Sequence, residues 1–216
     1  MSGRGVFVTF EGGDGSGKST QLKLLAHRLE AAGIPVRVLR EPGGTAVGEA
    51  VREILLNPEH VGLDDTAEIM LYEAARAQLV AEVIEPALEA GEVVLCDRFY
   101  DSTTAYQGHA RGIDLSEVAA LNRSATSGLQ PDRTLLLDID PRAGIARATS
   151  QGADRLEGED LNFHYLVRNG FLTIAADEPA RVRVVDADGT IEEVAERVEA
   201  ALRGVPVISS ALGLYS

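Results

Sequence analysis

Short apolar runs alternate along the chain with longer stretches in which apolar residues return every third or fourth position. The period thus switches between that of a buried strand and that of an amphipathic helix. The first run, Val6-Phe7-Val8-Thr9-Phe10, ends in a glycine-rich loop. Leu22, Leu25, Ala26 and Leu29 then recur at helical spacing until Gly33-Ile34-Pro35 stops them. A second strand is predicted over 36–39, leading into the loop residues Arg40-Glu41-Pro42-Gly43-Gly44-Thr45. Helical periods cover 47–56 and 66–90, divided by Asn57-Pro58 and bent near Pro86. Further strands are predicted at 93–96, 134–139 and 182–185, and further helices at 116–126, from Pro141, and over 161–176. Thr190-Ile191-Glu192-Glu193 reads as a capping box that opens a last helix to about Leu202. The tail after Arg203 has no clear period and is expected to be loosely held.

Strands that alternate with helices predict a parallel sheet covered on both faces. No repeat or linker divides the chain, so 1–216 is expected to form a single α/β domain. Composition agrees: 45% hydrophobic and 25% charged residues leave room for an ordinary core. A formal charge of −14 excludes a sequence-independent nucleic-acid binder, which needs a broad basic surface. It leaves a nucleotide ligand open, because a few local cations and backbone N–H groups decide that. The single cysteine, Cys96, lies in an apolar run and reads as a small buried hydrophobe, without disulfide or metal cluster. No apolar stretch approaches the roughly 18 residues of a membrane span, and the first run is too short for a signal peptide. A cytoplasmic protein with no membrane partner is expected.

The loop Gly12-Gly13-Asp14-Gly15-Ser16-Gly17-Lys18-Ser19 fits G-x-x-x-x-G-K-S and lies between a predicted strand and helix, as the P-loop requires. Its glycines let successive N–H groups turn toward an anion, the following helix adds its positive end, and residues 12–20, Thr20 included, are expected to bind ATP. Lys18 is placed to reach the β- and γ-phosphates of ATP, and the Ser19 hydroxyl to join the shell of Mg²⁺. Lys18 and Lys23 are the only lysines in the chain. No Asn-Lys-x-Asp base-reading motif of a GTPase is present, and the chain is short for a motor ATPase. A small-molecule kinase remains, with an acceptor pocket and a mobile cover that excludes water.

The loop 11–20, Arg40-Glu41-Pro42-Gly43-Gly44-Thr45, Tyr72-Glu73-Ala74-Ala75-Arg76, Asp97-Arg98-Phe99-Tyr100-Asp101-Ser102 and Ala105-Tyr106-Gln107-Gly108, in this order, resemble the bacterial thymidylate kinases. Asp154-Arg155-Leu156-Glu157 falls where that family has its lid, about 147–158. The resemblance implies a three-layer P-loop NTPase fold with a five-stranded parallel sheet, ATP-dependent phosphorylation of dTMP to dTDP, and a homodimer. It also implies that Arg98 holds the acceptor phosphate and that Asp97 supports Mg²⁺ through water. By the same resemblance, Asp14 is expected to meet the deoxyribose 3′-hydroxyl or the metal shell. Tyr72 is expected to stack on the thymine where the family usually has Phe, Arg76 to reach a thymine carbonyl, and Thr103 and Gln107 to meet the N3 and O2/O4 edge. Tyr106 is expected to crowd the sugar 2′ position, Arg52 and Arg40 to contact the acceptor phosphate, and Glu41-Pro42 to be cis.

Phosphoryl transfer is mainly positioning and charge neutralisation. The x positions of the loop, Gly13, Asp14, Gly15 and Ser16, hold no cation. Arg147, Arg155 or both are therefore expected to close over ATP from the lid, although Thr149 and Gln151 stand where relatives often have further arginines. The alternatives left open are another nucleoside monophosphate or deoxynucleoside kinase of this fold, and an inactive nucleotide-binding regulatory subunit.

Overall fold

The computed structural model describes residues 3–60, 62–148 and 155–214. The strands are β1 (Val6–Glu11), β2 (Val36–Arg40), β3 (Val93–Asp97), β4 (Arg133–Asp138) and β5 (Val182–Asp186). They form one parallel sheet in the order β2-β3-β1-β4-β5. Parallel neighbours need crossovers, which put helices on both faces, so the central strands are buried on both sides rather than alternating between core and solvent. Val8 and Phe10 face α1 (Lys18–Ala31) and α9 (Ile191–Ala201). Phe7, Val94 and Cys96 face the other way, toward the chain segment around Leu79, Ile84 and Leu88. A third cluster joins Leu136 and Val182 to α8 (Leu161–Asp177).

The remaining helices are α2 (Ala46–Leu56), α3 (Asp65–Leu79), α4 (Glu85–Glu89), α5 (Tyr100–Thr103), α6 (Leu115–Ala125), α7 (Pro141–Ala148) and α10 (Pro206–Leu212). Caps explain their starts: the Asp64, Asp114, Asp160 and Thr190 side chains each accept from N–H groups of the first turn. At Thr190 the expected capping box is complete, with Glu193 accepting from the Thr190 N–H at 2.8 Å. The expected helix over 66–90 is resolved into α3, a π turn Val80–Ile84, and α4. Pro86 has no N–H to continue the ladder, and the chain accommodates this by widening its hydrogen-bond register just before it.

Two features depart from the sequence pattern. Residues around 100–110, which carry a motif but no apolar period, form α5 and a second π turn, Thr104–Ala110. The tail after Arg203, expected to be loosely held, is instead the docked helix α10. Val205 and Ile208 are buried in the cluster of Val8 and α1, Pro206 supplies the first turn, and Gly213 ends the helix in the left-handed region (φ 67°). Ala211, Leu212 and Leu214 pack partly against the same cluster, so the segment is anchored along its length.

Ile208 is fully buried. Ile208→Ala should destabilise the fold by about 2–5 kcal/mol, as core truncations do, measured by urea unfolding. A loss under about 0.5 kcal/mol, the range of surface changes, would show that the tail is not part of the core.

Candidate active site

The carboxyl ends of β1 and β3 are neighbours, paired through Phe10 and Asp97, and each leads directly into one wall of the same cleft. Ligands of open α/β sheets bind at such strand ends. After β1 the chain curls through Gly12, Gly15 and Gly17, all at positive φ (135°, 68° and 89°), and α1 starts at Lys18. Gly15 is also a contact point. A Cβ there would lie 1.9 Å from the Gly144 carbonyl oxygen, so the loop backbone touches the backbone of α7. After β3 the chain turns sharply, and Arg98, a non-glycine residue, adopts φ 70°. Such a conformation is disfavoured for a residue with a Cβ and marks a position held by its surroundings.

Those surroundings are specific. The Arg98 N–H donates to Phe10 O at 2.9 Å, and the next N–H, of Phe99, donates to the Glu11 carboxylate at 2.7 Å. Glu11 also accepts from Ser102 at 2.6 Å. The Arg98 guanidinium reaches back across the cleft to Asp14 Oδ1 at 2.6 Å, Gly12 O at 3.1 Å and Ser102 Oγ at 3.2 Å. Burial pushes the Asp14 carboxyl up, but Arg98 and Lys18 outweigh it and hold the group below its usual range. Tyr106 donates to Asp14 Oδ2 at 3.3 Å, while burial keeps its phenol protonated. Burial and the adjacent like charge of Asp101 push Glu11 up to about 8.

Lys18 folds back onto its own loop, donating to Gly13 O at 2.8 Å and Gly12 O at 3.1 Å. Burial, and then the nearby Arg98 charge, push its ammonium down to about 8. Ser19 donates to Asp97 Oδ2, so the hydroxyl and carboxylate expected at the metal are already side by side. Among the described residues no group of three or more His, Cys, Asp or Glu could form an all-protein metal cage. Mg²⁺ does not need one, since it binds with one or two protein oxygens plus phosphates and water.

These groups line one cleft of about 450 Å³. Of the expected ATP and metal residues, Asp14, Gly15, Gly17, Lys18, Ser19 and Thr20 border it, with Asp97. Of the expected acceptor residues, Arg52, Tyr72, Arg76, Arg98 and Tyr106 do, together with Thr103 and Gln107. Arg40 borders it too, while pairing with Glu49 at 2.8 Å. Arg52 donates to Pro42 O at 2.9 Å, and the Glu41–Pro42 bond is cis, as the resemblance implies. The π turn brings Tyr106 and Gln107 onto the cleft side with Ser102 and Thr103. Arg76 borders the cleft differently from the expectation, being 1% exposed, with its N–H groups engaged by Glu41, Glu73, Asn122 and Thr103.

The two arginines expected in the lid are also separated. Arg147, at the end of α7, borders the cleft and pairs with Asp188 at 3.2 Å. Arg155 turns away, donating to Leu55 O at 2.9 Å and pairing with the fully buried Glu68. Thr149 and Gln151, with the rest of 149–154, lie outside the described residues. Sequence reasoning gave no role to Glu11, Ser102, Glu68 or Glu41. Glu11 did carry a signal, being an acid that ends an otherwise apolar strand.

The thymidylate kinase family model matches residues 10–198. The chain belongs to the thymidylate kinase family. It is 51% identical over 199 residues to the thymidylate kinase of Syntrophotalea carbinolica, covering 89% of this chain and 92% of the relative. It is 53% identical over 201 residues to that of Solidesulfovibrio magneticus, covering 89% and 96%. The crystal structure of thymidylate kinase from Ehrlichia chaffeensis superposes with a TM-score of 0.75 at 38% identity, over 93% of this chain and 99% of that one.

The lowered Lys18 has a measurable consequence. A polyphosphate beside it favours the ammonium, so at pH near 8, where the free lysine is about half neutral, ATP binding should take up a proton. Affinity should then fall as pH rises further. Calorimetry in buffers of different ionisation enthalpy reads this uptake, and a binding heat independent of buffer would count against it.

Proposed function

We propose that this enzyme transfers the γ-phosphoryl group of ATP to a phosphate oxygen of dTMP, giving dTDP and ADP, with the whole chain acting as one P-loop kinase domain. The observation that carries this reading is that one cleft joins the phosphate loop, through Arg98–Asp14, to a pocket bordered by Tyr72, Thr103 and Gln107. ATP lies along 12–20, with Lys18 leaving its loop carbonyls for the β- and γ-phosphates. The dTMP phosphate takes Arg98 and Arg52, its sugar meets Asp14 and Tyr106, and Tyr72 stacks on its base. An acceptor oxygen attacks the γ-phosphorus as the bond to the ADP oxygen breaks. That oxygen is already anionic, so no side chain is needed as a strong base. Ser19 and Asp97 would hold Mg²⁺, which when bound neutralises phosphate charge.

The loop supplies Lys18 but no cation from its x positions, and Arg147 fits the further role. Its partner Asp188 is highly exposed, so releasing it costs little. Breaking Arg155 from the buried Glu68 would strand a charge. We therefore assign Arg147 to the transition state, within a lid at about 147–158, and treat Arg155 as the lid's anchor. A homodimer is supported by exposed Val47 and Ile54 on α2, Met70 on α3 and Leu115 on α6, helices packed side by side. A cytoplasmic setting fits its two metabolite substrates.

In an ADP-release assay kcat/KM should be highest for dTMP among dTMP, dUMP, UMP, dCMP and thymidine. A preference for another acceptor would select the rival kinase reading, and no turnover of any would select the inactive one. Arg147→Ala should lower kcat by about 10²-fold or more, well beyond Arg155→Ala. An equal or smaller effect of Arg147→Ala would return the catalytic cation to Arg155.

A further inference from the structure

His164, in the first turn of α8, is 6% exposed, and among the described residues its Nε2 is buried without a hydrogen-bond partner. Such a group in a native fold calls for an explanation. It borders a cavity of about 20 Å³ against the phosphate loop, walled on one side by Gly12, Gly13 and Asp14 and on the other by residues of α7 and α8. That is room for a single water molecule. Ile145 and Phe171 make part of the wall apolar, and Asp138 accepts from Arg168 through both oxygens, at 2.7 and 2.8 Å. The Asp14 carboxylate is held by Arg98 and Tyr106. The polar groups left to face the cavity are the His164 ring nitrogen and the loop backbone. The loop has a matching need. Lys18 donates to Gly12 O and Gly13 O, and it must leave both to reach a polyphosphate. Gly12 O then keeps Arg98 at 3.1 Å. Among the described residues Gly13 O keeps only the Ser16 N–H, at a long 3.4 Å.

We propose that His164 is a positioning residue for the phosphate loop: through one buried water it supplies the hydrogen bond that Gly13 O loses when Lys18 moves to ATP. A water bound to Nε2 has a proton left to donate whichever tautomer the ring takes. The ring thus acts on ATP at one remove, through the water and the loop backbone. It stands on the helix that follows the lid stretch 147–158, so one side chain ties the far end of the lid to the loop that holds the phosphates. The inference rests on the reading of 12–20 as the ATP loop and is independent of the acceptor.

Crystals of the protein with ATP bound should show one ordered water within hydrogen-bond distance of both Nε2 and Gly13 O, and a dry cavity would overturn the proposal. Calorimetry without acceptor gives the energetic test. Lacking Nε2, the water has too few polar partners to be held. His164→Phe should therefore raise the Kd for ATP about tenfold, with His164→Leu in its place if the phenylalanine variant does not fold. His164→Gln keeps a polar tip but removes the ring's charge, which also steadies Asp14. It should stay within about threefold of the parent, and a loss equal to that of His164→Phe would assign the effect to charge and overturn the proposal. Lys18→Ala supplies the second control, because no donor then leaves Gly13 O on binding. In that background His164→Phe should change the Kd by less than about twofold. A merely structural injury would weaken ATP equally in both backgrounds and fail the inference alone. A parent that binds no ATP would fail the loop reading, and the inference with it.

Discussion

The site depends on one contact across two strand ends, the Arg98–Asp14 pair. β1 and β3 deliver a glycine-rich loop and a sharp turn to the same edge of the sheet, but nothing in a parallel ladder fixes the distance between that loop and that turn. Arg98 does so with its backbone and its side chain together: its N–H closes onto Phe10 O while its guanidinium closes onto Asp14 and Gly12 O. The left-handed conformation of Arg98 is the strain that this double attachment sustains. Glu11 shares the work by holding the Phe99 N–H and Ser102, so the acid that ends β1 shapes the turn that ends β3.

Around that contact the enzyme keeps its cations in two classes. Lys18 and Arg147 border the cleft on partners that a polyanion can replace, loop carbonyls and an exposed aspartate, and Arg98 borders it while keeping Asp14. Arg76, Arg155 and Arg181 are enclosed, each with a carboxylate that could not be abandoned without stranding charge. Arg181 shows the second class at its plainest, held by Asp101, Glu178 and Thr134 beneath the helix that carries Thr103. The enclosed arginines form the frame on which the replaceable ones act.

The sheet, its helices and the phosphate loop were legible because each rests on local chemistry: apolar runs, capping side chains, and glycines where φ must be positive. The π turn and α5 were not, since Ser102, Thr103 and Thr104 are indifferent helix formers and are held there by tertiary contacts with Glu11, Arg76 and Asn122. The docking of α10 escaped for a related reason, because it rests on the long-range packing of Val205 and Ile208 in the cluster of Val8 and α1. The residues that border the cleft could be named from motifs, but their partners could not. That Glu68 stands behind Gln107, 39 positions away, or that Arg155 faces Glu68 rather than ATP, is a property of packing.

The approach of Gly15 to Gly144 closes an evolutionary route. With a carbonyl where a Cβ would go, position 15 cannot acquire a side chain of any kind while α7 stays in place. Ser16 is buried and Asp14 is committed to Arg98, which leaves Gly13 as the open x position. A lineage with this backbone can therefore move its catalytic charge into the loop at one residue, or else must displace a helix. The same helix that blocks position 15 carries Arg147 in its last turn, so the element that denies the loop a cation also brings one to its edge.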